Sequence, residues 1–191
     1  SILVQGHCAD GVTQIEARAV PRQGYSGTAT DWVTIATNPV GGDFLGHLSV
    51  SGGWYDIEVR GYQGTDLIPG DVVSRVSVGE VFITCGQSNS ANSGETKLTV
   101  NDDRISANNG NGGWQLANDP QPVATATGGS PWPELGNLLV EHFDVPIGFY
   151  SVGWGGTSVT QWQPGASNQP NGEPDGTLYA HATTTCLVFE L

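Results

Sequence analysis

Turn-forming residues interrupt the first 78 positions of the chain about every eight to twelve residues, a spacing that leaves room only for short strands. Such turns occur at 41–43, 52–53 and 69–71. Within 54–60, apolar and polar side chains alternate, which is the period of an antiparallel strand with one buried face. The pattern therefore predicts an antiparallel β-sandwich over residues 1–78. Its strands are expected at 12–20, 31–36, 44–50, 54–60 and 72–78.

The pattern changes after Gly79. Residues 80–85 form a nearly continuous apolar run, which is typical of a strand buried on both faces. Cys85 is expected to be a small buried residue at the end of this strand. The polar stretch 101–122 is expected to be a surface loop, and the apolar run 147–154 predicts a second buried strand.

A helix is predicted between these two strands. Ser130 is a suitable N-cap, Pro131 suits the first helical position, and Pro146 prevents the helix from continuing. Four apolar residues recur with helical spacing and form one predicted stripe, Leu135, Leu138, Leu139 and Phe143. A strand, a helix and a strand make a parallel crossover unit, so residues 79–191 are predicted to form an α/β domain with a parallel sheet.

Two loops are expected to meet at one edge of that sheet, 86–89 after the first strand and 155–158 after the second. Neighbouring parallel strands end on the same side, and ligands bind at that side in open α/β sheets. A site formed by these two loops would combine the hydroxyl of Ser88 with the amides of Gly155 and Gly156 and with the carboxamides of Gln87 and Asn89. This combination indicates acyl-transfer chemistry.

Ser88 is the candidate nucleophile. A serine hydroxyl needs a base to take its proton, and backbone amides to hold the oxyanion that forms after attack. The amide of Ser88 and the amides of Gly155 and Gly156 are the candidate oxyanion-hole donors, and Gln87 and Asn89 are candidate supporting side chains. Ordinary interpretations stay open, because a turn serine and a tight glycine turn are each more common than a catalytic site.

The charge of the chain excludes some partners. The net charge is −13 at pH 7 with only six lysines and arginines, so the protein repels the phosphates of nucleic acids and anionic membrane surfaces. No apolar run reaches the length of a transmembrane helix. High negative charge mainly favours solubility, and it also fits an extracellular habitat. We expect a secreted or periplasmic protein.

The three cysteines, Cys8, Cys85 and Cys186, do not have the spacing of metal ligands, and no cofactor or metal is expected. Cys8 and Cys186 are able to pair in an oxidising compartment, although nothing in their spacing requires it. Among the tryptophans, Trp162 lies beside the second loop and is the best candidate to stack on a sugar ring. Core packing is the commoner role for a tryptophan.

The segment 79–92, with its Gly-Gln-Ser-Asn at 86–89, resembles the nucleophile block of the SGNH/GDSL hydrolase superfamily. More narrowly, it resembles the carbohydrate-esterase branch that includes sialate O-acetylesterases and acetylxylan esterases. The segment 153–162 is similar to a second block, in which Gly156 or Gly155 would donate to the oxyanion and Trp162 would close the loop. The resemblance implies a three-layer, flavodoxin-like sheet domain after an accessory sandwich. It also implies an acetylated glycan as substrate.

The last parts of the family pattern are absent. Neither its Gln-Gly-Glu block nor its Asp-x-x-His block, which supplies the general base, occurs in the chain. His181 follows Asp175, but with the wrong spacing, and we do not expect it to pair with Ser88. We expect the chain to be the N-terminal part of a longer enzyme, with the base beyond Leu191. The alternatives are a carbohydrate-binding or adhesin module, in which the sandwich does the work, and a catalytically inactive relative.

Overall fold

The structure is a computed structural model that describes the backbone of residues 1–188 and the side chains of residues 1–183. It contains two compact units, Ser1–Gly79 and a second that begins at Glu80. The described part of the chain consists mainly of strands, and its two α-helices both lie in the second unit. The fold is therefore mixed α/β with several sheets.

Seven strands form the first unit, and every pairing among them is antiparallel. They are β1 Ile2–His7, β2 Gln14–Pro21, β3 Val33–Thr37, β4 Asp43–Leu48, β5 Gly53–Gln63, β6 Asp66–Ile68 and β7 Val72–Val78. One sheet contains β1 and β4, and the other has the order β3-β2-β5-β6, with β7 also paired to β5. All five predicted strands are present, and β1 and β6 were not predicted. The sandwich itself stays a prediction.

Both sheets of the first unit contribute to one core. Its buried members are Ile2 and Leu48 from the small sheet and Ala17, Ala19, Tyr55 and Ile57 from the large one. Burying these apolar surfaces is the main stabilising contribution, at about 25 cal/mol per Å². Trp54 is only 2% exposed although it alternates with charged neighbours, because the ring of Tyr25 and the guanidinium groups of Arg22 and Arg75 pack against it.

The second unit contains a four-stranded sheet with the order β10-β9-β11-β8. Its elements are β8 Glu80–Thr84, β9 Ile105–Asn108, β10 Trp114–Leu116, α1 Trp132–Phe143, β11 Ile147–Ser151 and α2 Thr177–Val188. The strand β11 is parallel to both β8 and β9, whereas β10 is antiparallel to β9. The parallel neighbours β8 and β11 are as predicted. The flavodoxin-like, three-layer arrangement stays a prediction.

The prediction that 101–122 is a surface loop is wrong, because this stretch contains β9 and β10. Ile105 and Ala107 in β9 are fully buried. The helix α1 packs on β9 and β11, and its buried members share a core with both strands. The connection between the parallel neighbours β9 and β11 therefore contains both β10 and α1, and β8 lies on the other side of β11.

The predicted apolar stripe of α1 is wrong in part. Leu138 is 57% and Phe143 47% exposed, and the buried face consists instead of Pro133, Gly136 and Val140, with Leu135 and Leu139 packed beside it. The reason is close packing at Gly136, where a Cβ would lie 2.5 Å from Cγ2 of Ile105. A pattern of large apolar residues does not detect a helix face made of proline and glycine.

The C-terminal end of α1 agrees with the predicted signals, whereas the predicted N-cap is wrong by one residue: Pro131 and not Ser130 is the N-cap, and the first helical residue is Trp132. Oγ of Ser130 accepts a 3.3 Å hydrogen bond from the amide of Trp132, and the carbonyl of Pro131 accepts one from the amide of Leu135. After Phe143, the residue Asp144 has a left-handed φ of 52°, which ends the helix before Pro146.

The predicted burial of the first parallel strand is also wrong. The strand β8 is the last in the sheet order, so only one of its edges has a neighbour among the described strands. Val81 is 41% exposed, Phe82 and Ile83 are half-buried, and Thr84 is buried. Cys85, expected to be buried, is exposed. The side chain of Cys186 lies outside the described residues, and so does its possible pairing with Cys8.

Candidate functional site

The ends of β8 and β11 bring two loops together. The strands pair in register up to Thr84 and Ser151, whose buried hydroxyls form a 2.8 Å hydrogen bond. The pairing continues past the strand ends, because the amide of Val152 donates to the carbonyl of Thr84 and the amide of Trp154 donates to the carbonyl of Gly86, each at 2.9 Å. The loops 86–89 and 155–158 therefore lie next to each other, as predicted.

Ser88 begins a short 3₁₀ turn, Ser88–Ser90. Its Oγ donates a short 2.5 Å hydrogen bond to Oε1 of Gln87, and its carbonyl accepts from the amides of Ala91 and Ser93. The side chain is half-buried and does not cap the turn. In the part of the chain that the structure describes, the Ser88 amide has no acceptor, so it is available to a ligand.

The two glycines of the second loop are not equivalent. The amide of Gly155 donates a 3.2 Å hydrogen bond to Oγ1 of Thr125. Gly156 has a left-handed φ of 76°, and no described residue accepts a hydrogen bond from its amide. Both glycines are exposed. Of the two glycine candidates, Gly156 is thus the one whose amide has no described protein acceptor and is available to a ligand.

A third loop, missed in the sequence, packs against both. Asn92 is fully buried, and its Oδ1 accepts a 2.9 Å hydrogen bond from the amide of Gln121. Its Nδ2 donates to the carbonyls of Gln121 and Ala126 at 2.9 and 3.1 Å. The amide of Ala126 also donates to the carbonyl of Ala91. Asn92 is the last residue of the segment 79–92, and its polar side chain after an apolar strand was the only signal of this role.

Trp162 lies at the end of the second loop, in the 3₁₀ turn Val159–Trp162. Its Nε1 donates a 3.0 Å hydrogen bond to Oγ1 of Thr157, which in turn donates to the carbonyl of Trp154 at 2.8 Å. Ser158 and Gln161 form a capping box at the start of the turn. The half-buried indole is therefore held in a fixed position relative to the second loop, 155–158, the glycine loop.

The four histidines lie at exposed positions. His7 and His47 belong to the first unit, and His142 is on α1. His181 on α2 packs its ring against Trp154, with the ring centroids 5.9 Å apart. The structure thus brings His181 close to the glycine loop, a proximity that its spacing from Asp175 did not indicate. Asn89 is exposed, and no described residue hydrogen-bonds its side chain.

Among the described residues, no three histidine, cysteine, aspartate or glutamate side chains converge as metal ligands would. Neither of the described α-helices combines the length and the apolar character needed to cross a bilayer.

No protein-family model matches the chain, and no curated protein matches its sequence. Among the solved structures that match is a carbohydrate acetylesterase from Xanthomonas citri, with a TM-score of 0.51 and 19% identity over 99% of this chain. The chain spans 45% of the length of that protein. At this identity the likeness concerns the fold alone, and the chain has a fold like that of a carbohydrate esterase.

Proposed function

We propose that this chain contains the nucleophile of a serine esterase that removes O-acetyl groups from a carbohydrate. The hydrogen bond between Trp154 and Gly86 carries the proposal, because it joins the loop of the candidate nucleophile to the loop of the candidate oxyanion donor. The fold shared with a carbohydrate acetylesterase supports the same reaction class. The substrate would be an acetylated glycan.

In the proposed reaction, Oγ of Ser88 attacks the carbonyl carbon of the acetyl group while a base takes the hydroxyl proton. The negative charge that develops on the carbonyl oxygen is held by the free amides of Ser88 and Gly156, at about 3–4 kcal/mol per donor. The bond to the sugar oxygen then breaks, and that oxygen takes the proton from the base. Water attacks the acetyl-serine in the same way and releases acetate.

Gln87 is one of the candidate supporting side chains. Its side-chain oxygen accepts the hydrogen of the Ser88 hydroxyl, so it acts on the proposed nucleophile as an acceptor. An amide oxygen is too weakly basic to take the proton during attack. Gln87 therefore orients the hydroxyl at rest, and the reaction needs a separate base.

The proposal also covers the superfamily of the enzyme, the role of the first unit and the location of the protein. The Gly-Gln-Ser-Asn segment supports a place in the SGNH branch near sialate O-acetylesterases and acetylxylan esterases, with a flavodoxin-like catalytic domain. The core shared by the two antiparallel sheets supports an accessory sandwich in the first unit. A secreted or periplasmic location is proposed from the net charge of −13.

The decisive experiment compares the full-length protein with its Ser88→Ala form and with Ser93→Ala as the matched control, because Ser93 is nearby, exposed and has no described side-chain hydrogen bond. Hydrolysis of 4-nitrophenyl acetate and covalent labelling by a fluorophosphonate are measured, and the labelled peptide is identified by mass spectrometry. We expect Ser88→Ala alone to lose both activities. Equal labelling of the wild type and Ser88→Ala would remove Ser88 from the mechanism. Neither activity in the wild type, together with binding of acetylated oligosaccharides, would favour a binding module.

A further inference from the structure

Thr125 lies between the two loops of the candidate site. Its Oγ1 accepts a 3.2 Å hydrogen bond from the amide of Gly155, and its own amide donates to the carbonyl of Gly153 at 3.3 Å. The next residue, Ala126, donates its amide to the carbonyl of Ala91 at 2.9 Å. Ala91 itself closes the turn of Ser88, since its amide donates to the Ser88 carbonyl. The consecutive residues Thr125 and Ala126 thus contact the glycine loop and the nucleophile turn, the turn that begins at Ser88 and closes at Ala91.

The segment 121–126 is held in place by the side chain of Asn92. The buried side chain of Asn92 accepts from the amide of Gln121 and donates to the carbonyl of Ala126, so both ends of 121–126 are attached to it. Asn92 is fully buried, and a buried, fully satisfied carboxamide has few alternative positions. Thr125 is therefore presented to the glycine loop by a segment with a fixed backbone position.

The hydroxyl of Thr125 accepts a hydrogen bond from one of two adjacent amides, that of Gly155. An amide that already donates to a protein oxygen must give up that bond before it donates to an oxyanion. Gly155 is committed to Thr125, whereas Gly156, next in the chain and with a left-handed φ of 76°, is not committed to any described acceptor. With the Gly155 amide held, the next peptide, which carries the Gly156 amide, is reoriented only through φ and ψ of Gly155, the two soft dihedrals at the Cα that the peptides share.

We propose that Thr125 is a positioning residue for the proposed ester hydrolysis: its hydroxyl holds the Gly155 amide and so directs the Gly156 amide to the oxyanion. The inference rests on the proposed function. In this inference the geometry of the oxyanion hole depends on three segments: the nucleophile turn, the glycine loop and residues 121–126. Thr125 does not touch the reacting atoms in this scheme and acts through Gly155.

In the full-length protein, Thr125→Val tests the role, because valine has nearly the same shape and lacks the acceptor oxygen. Thr125→Ser keeps the oxygen and is the rescue variant, and Thr125→Ala removes the oxygen without a bulky replacement. Since Thr125 is exposed, water is able to replace its hydroxyl in part, and we expect a loss of about five- to tenfold in kcat, the equivalent of one hydrogen bond. The KM for 4-nitrophenyl acetate should change little, because the oxyanion forms only in the transition state.

Two readouts separate positioning from stability. The rate of fluorophosphonate labelling at Ser88 should fall in Thr125→Val and Thr125→Ala and return to within twofold of wild type in Thr125→Ser. Amide hydrogen exchange at Gly155 should accelerate in the first two variants only. Circular dichroism and thermal melting identify any variant that fails to fold, and Thr125→Ala then takes the place of Thr125→Val.

Failure of the proposed function and failure of the inference about Thr125 give different results. If Ser88→Ala retains the wild-type rate, the proposed function falls and the role of Thr125 falls with it. If Ser88→Ala is inactive and folded Thr125→Val or Thr125→Ala keeps the wild-type kcat, only the inference about Thr125 is overturned. A rise in KM with an unchanged kcat would also overturn it, because the loss would then concern substrate binding.

Discussion

The amide of Trp154 donates a 2.9 Å hydrogen bond to the carbonyl of Gly86, and each partner lies two residues before a proposed functional residue. Gly86 precedes Ser88 by two positions, and Trp154 precedes Gly156 by two positions. The bond continues the parallel pairing of β8 and β11 beyond the strand ends. The relative position of the proposed nucleophile and the proposed oxyanion donor is therefore set by the sheet, which is a more rigid support than two independent loops.

The glycine loop offers a matched pair of substitutions. Gly156 has a left-handed φ of 76°, where a Cβ is strained by roughly 1–2 kcal/mol, whereas the φ of Gly155 lies outside that region. A Cβ on either glycine meets no atom within 4 Å, so sterics do not distinguish them. We expect Gly156→Ala to lower the kcat for 4-nitrophenyl acetate by about tenfold and Gly155→Ala to lower it by less than threefold.

The outcome of this comparison is diagnostic. Equal losses in both glycine variants would indicate that the loop responds to any added side chain, and not to the backbone conformation at Gly156. A larger loss in Gly155→Ala would assign the oxyanion contact to Gly155, against its hydrogen bond with Thr125.

Trp162 allows a test of substrate contact. Its indole Nε1 is committed to Thr157, so the ring would contribute stacking and not a hydrogen bond to a sugar. We expect Trp162→Ala to raise KM for acetylated xylo-oligosaccharides about three- to tenfold, equivalent to roughly 0.5–1.5 kcal/mol of aromatic contact. The KM for 4-nitrophenyl acetate should stay near wild type. Val159, 76% exposed in the same turn, supplies the control Val159→Ala. Equal KM changes for both substrates would contradict a sugar contact.

Local signals were sufficient for the elements that flank the site. The apolar runs at 80–85 and 147–154 are bounded by glycine or proline, and both contain strands of one parallel pair. The parallel pairing then implies that the loops after them meet, because both strands end on the same side. The position of Ser88 beside the glycine loop was therefore accessible from the sequence.

Other features left no local signal. In β9 the buried apolar residues are Ile105 and Ala107, and a small alanine between polar residues does not make a hydrophobic run. Thr125 and Gly155 are 30 residues apart, and no spacing rule relates a threonine in a polar loop to a distant glycine amide. Such contacts depend on tertiary packing, which a pattern within one segment does not contain.

Gly136 tests the close packing of α1 against the sheet. A Cβ at this position would lie 2.5 Å from Cγ2 of Ile105 and 3.0 Å from Cε2 of Phe149. Alanine favours a helix interior by about 1 kcal/mol over glycine, but overpacking a core costs about 1–3 kcal/mol. We expect Gly136→Ala to be destabilised overall, with faster hydrogen exchange in the peptides of β9 and β11.

The control for this change is Leu138→Ala, on the exposed side of the same helix. Its effect on the free energy of unfolding should stay within about 0.5 kcal/mol. A more stable Gly136→Ala variant would show that the helix moves away from the sheet at little cost.

The stability of the second unit at acidic pH should depend on the carboxylate of Asp102. Arg104 donates three side-chain hydrogen bonds and one backbone hydrogen bond to this carboxylate, at 2.8–3.1 Å, and a further one to Asp144. The hydrogen bonds from the Arg104 side chain are the main cause that lowers the pKa of Asp102 below its ordinary value of 3.8, against the opposing effect of burial. Asp144 is the residue that ends α1, so the cluster joins the start of β9 to the end of the helix.

A lowered folded-state pKa means that the native state holds fewer protons than the unfolded state. The contribution of Asp102 is therefore complete above the ordinary pKa near 3.8, and it is lost as the pH falls from there through the lower folded value. At neutral pH we expect Asp102→Asn to cost about 1.5–3 kcal/mol, the range for hydrogen bonds to charged groups. Hydrogen exchange in β9 and α1 peptides, measured from pH 7 to pH 3, should show the difference from wild type shrinking below about pH 4. Glu141→Gln, an exposed change on α1, should leave the profile unchanged. A difference that stays constant down to pH 3 would mean that the charge of Asp102 does not stabilise this end of the sheet.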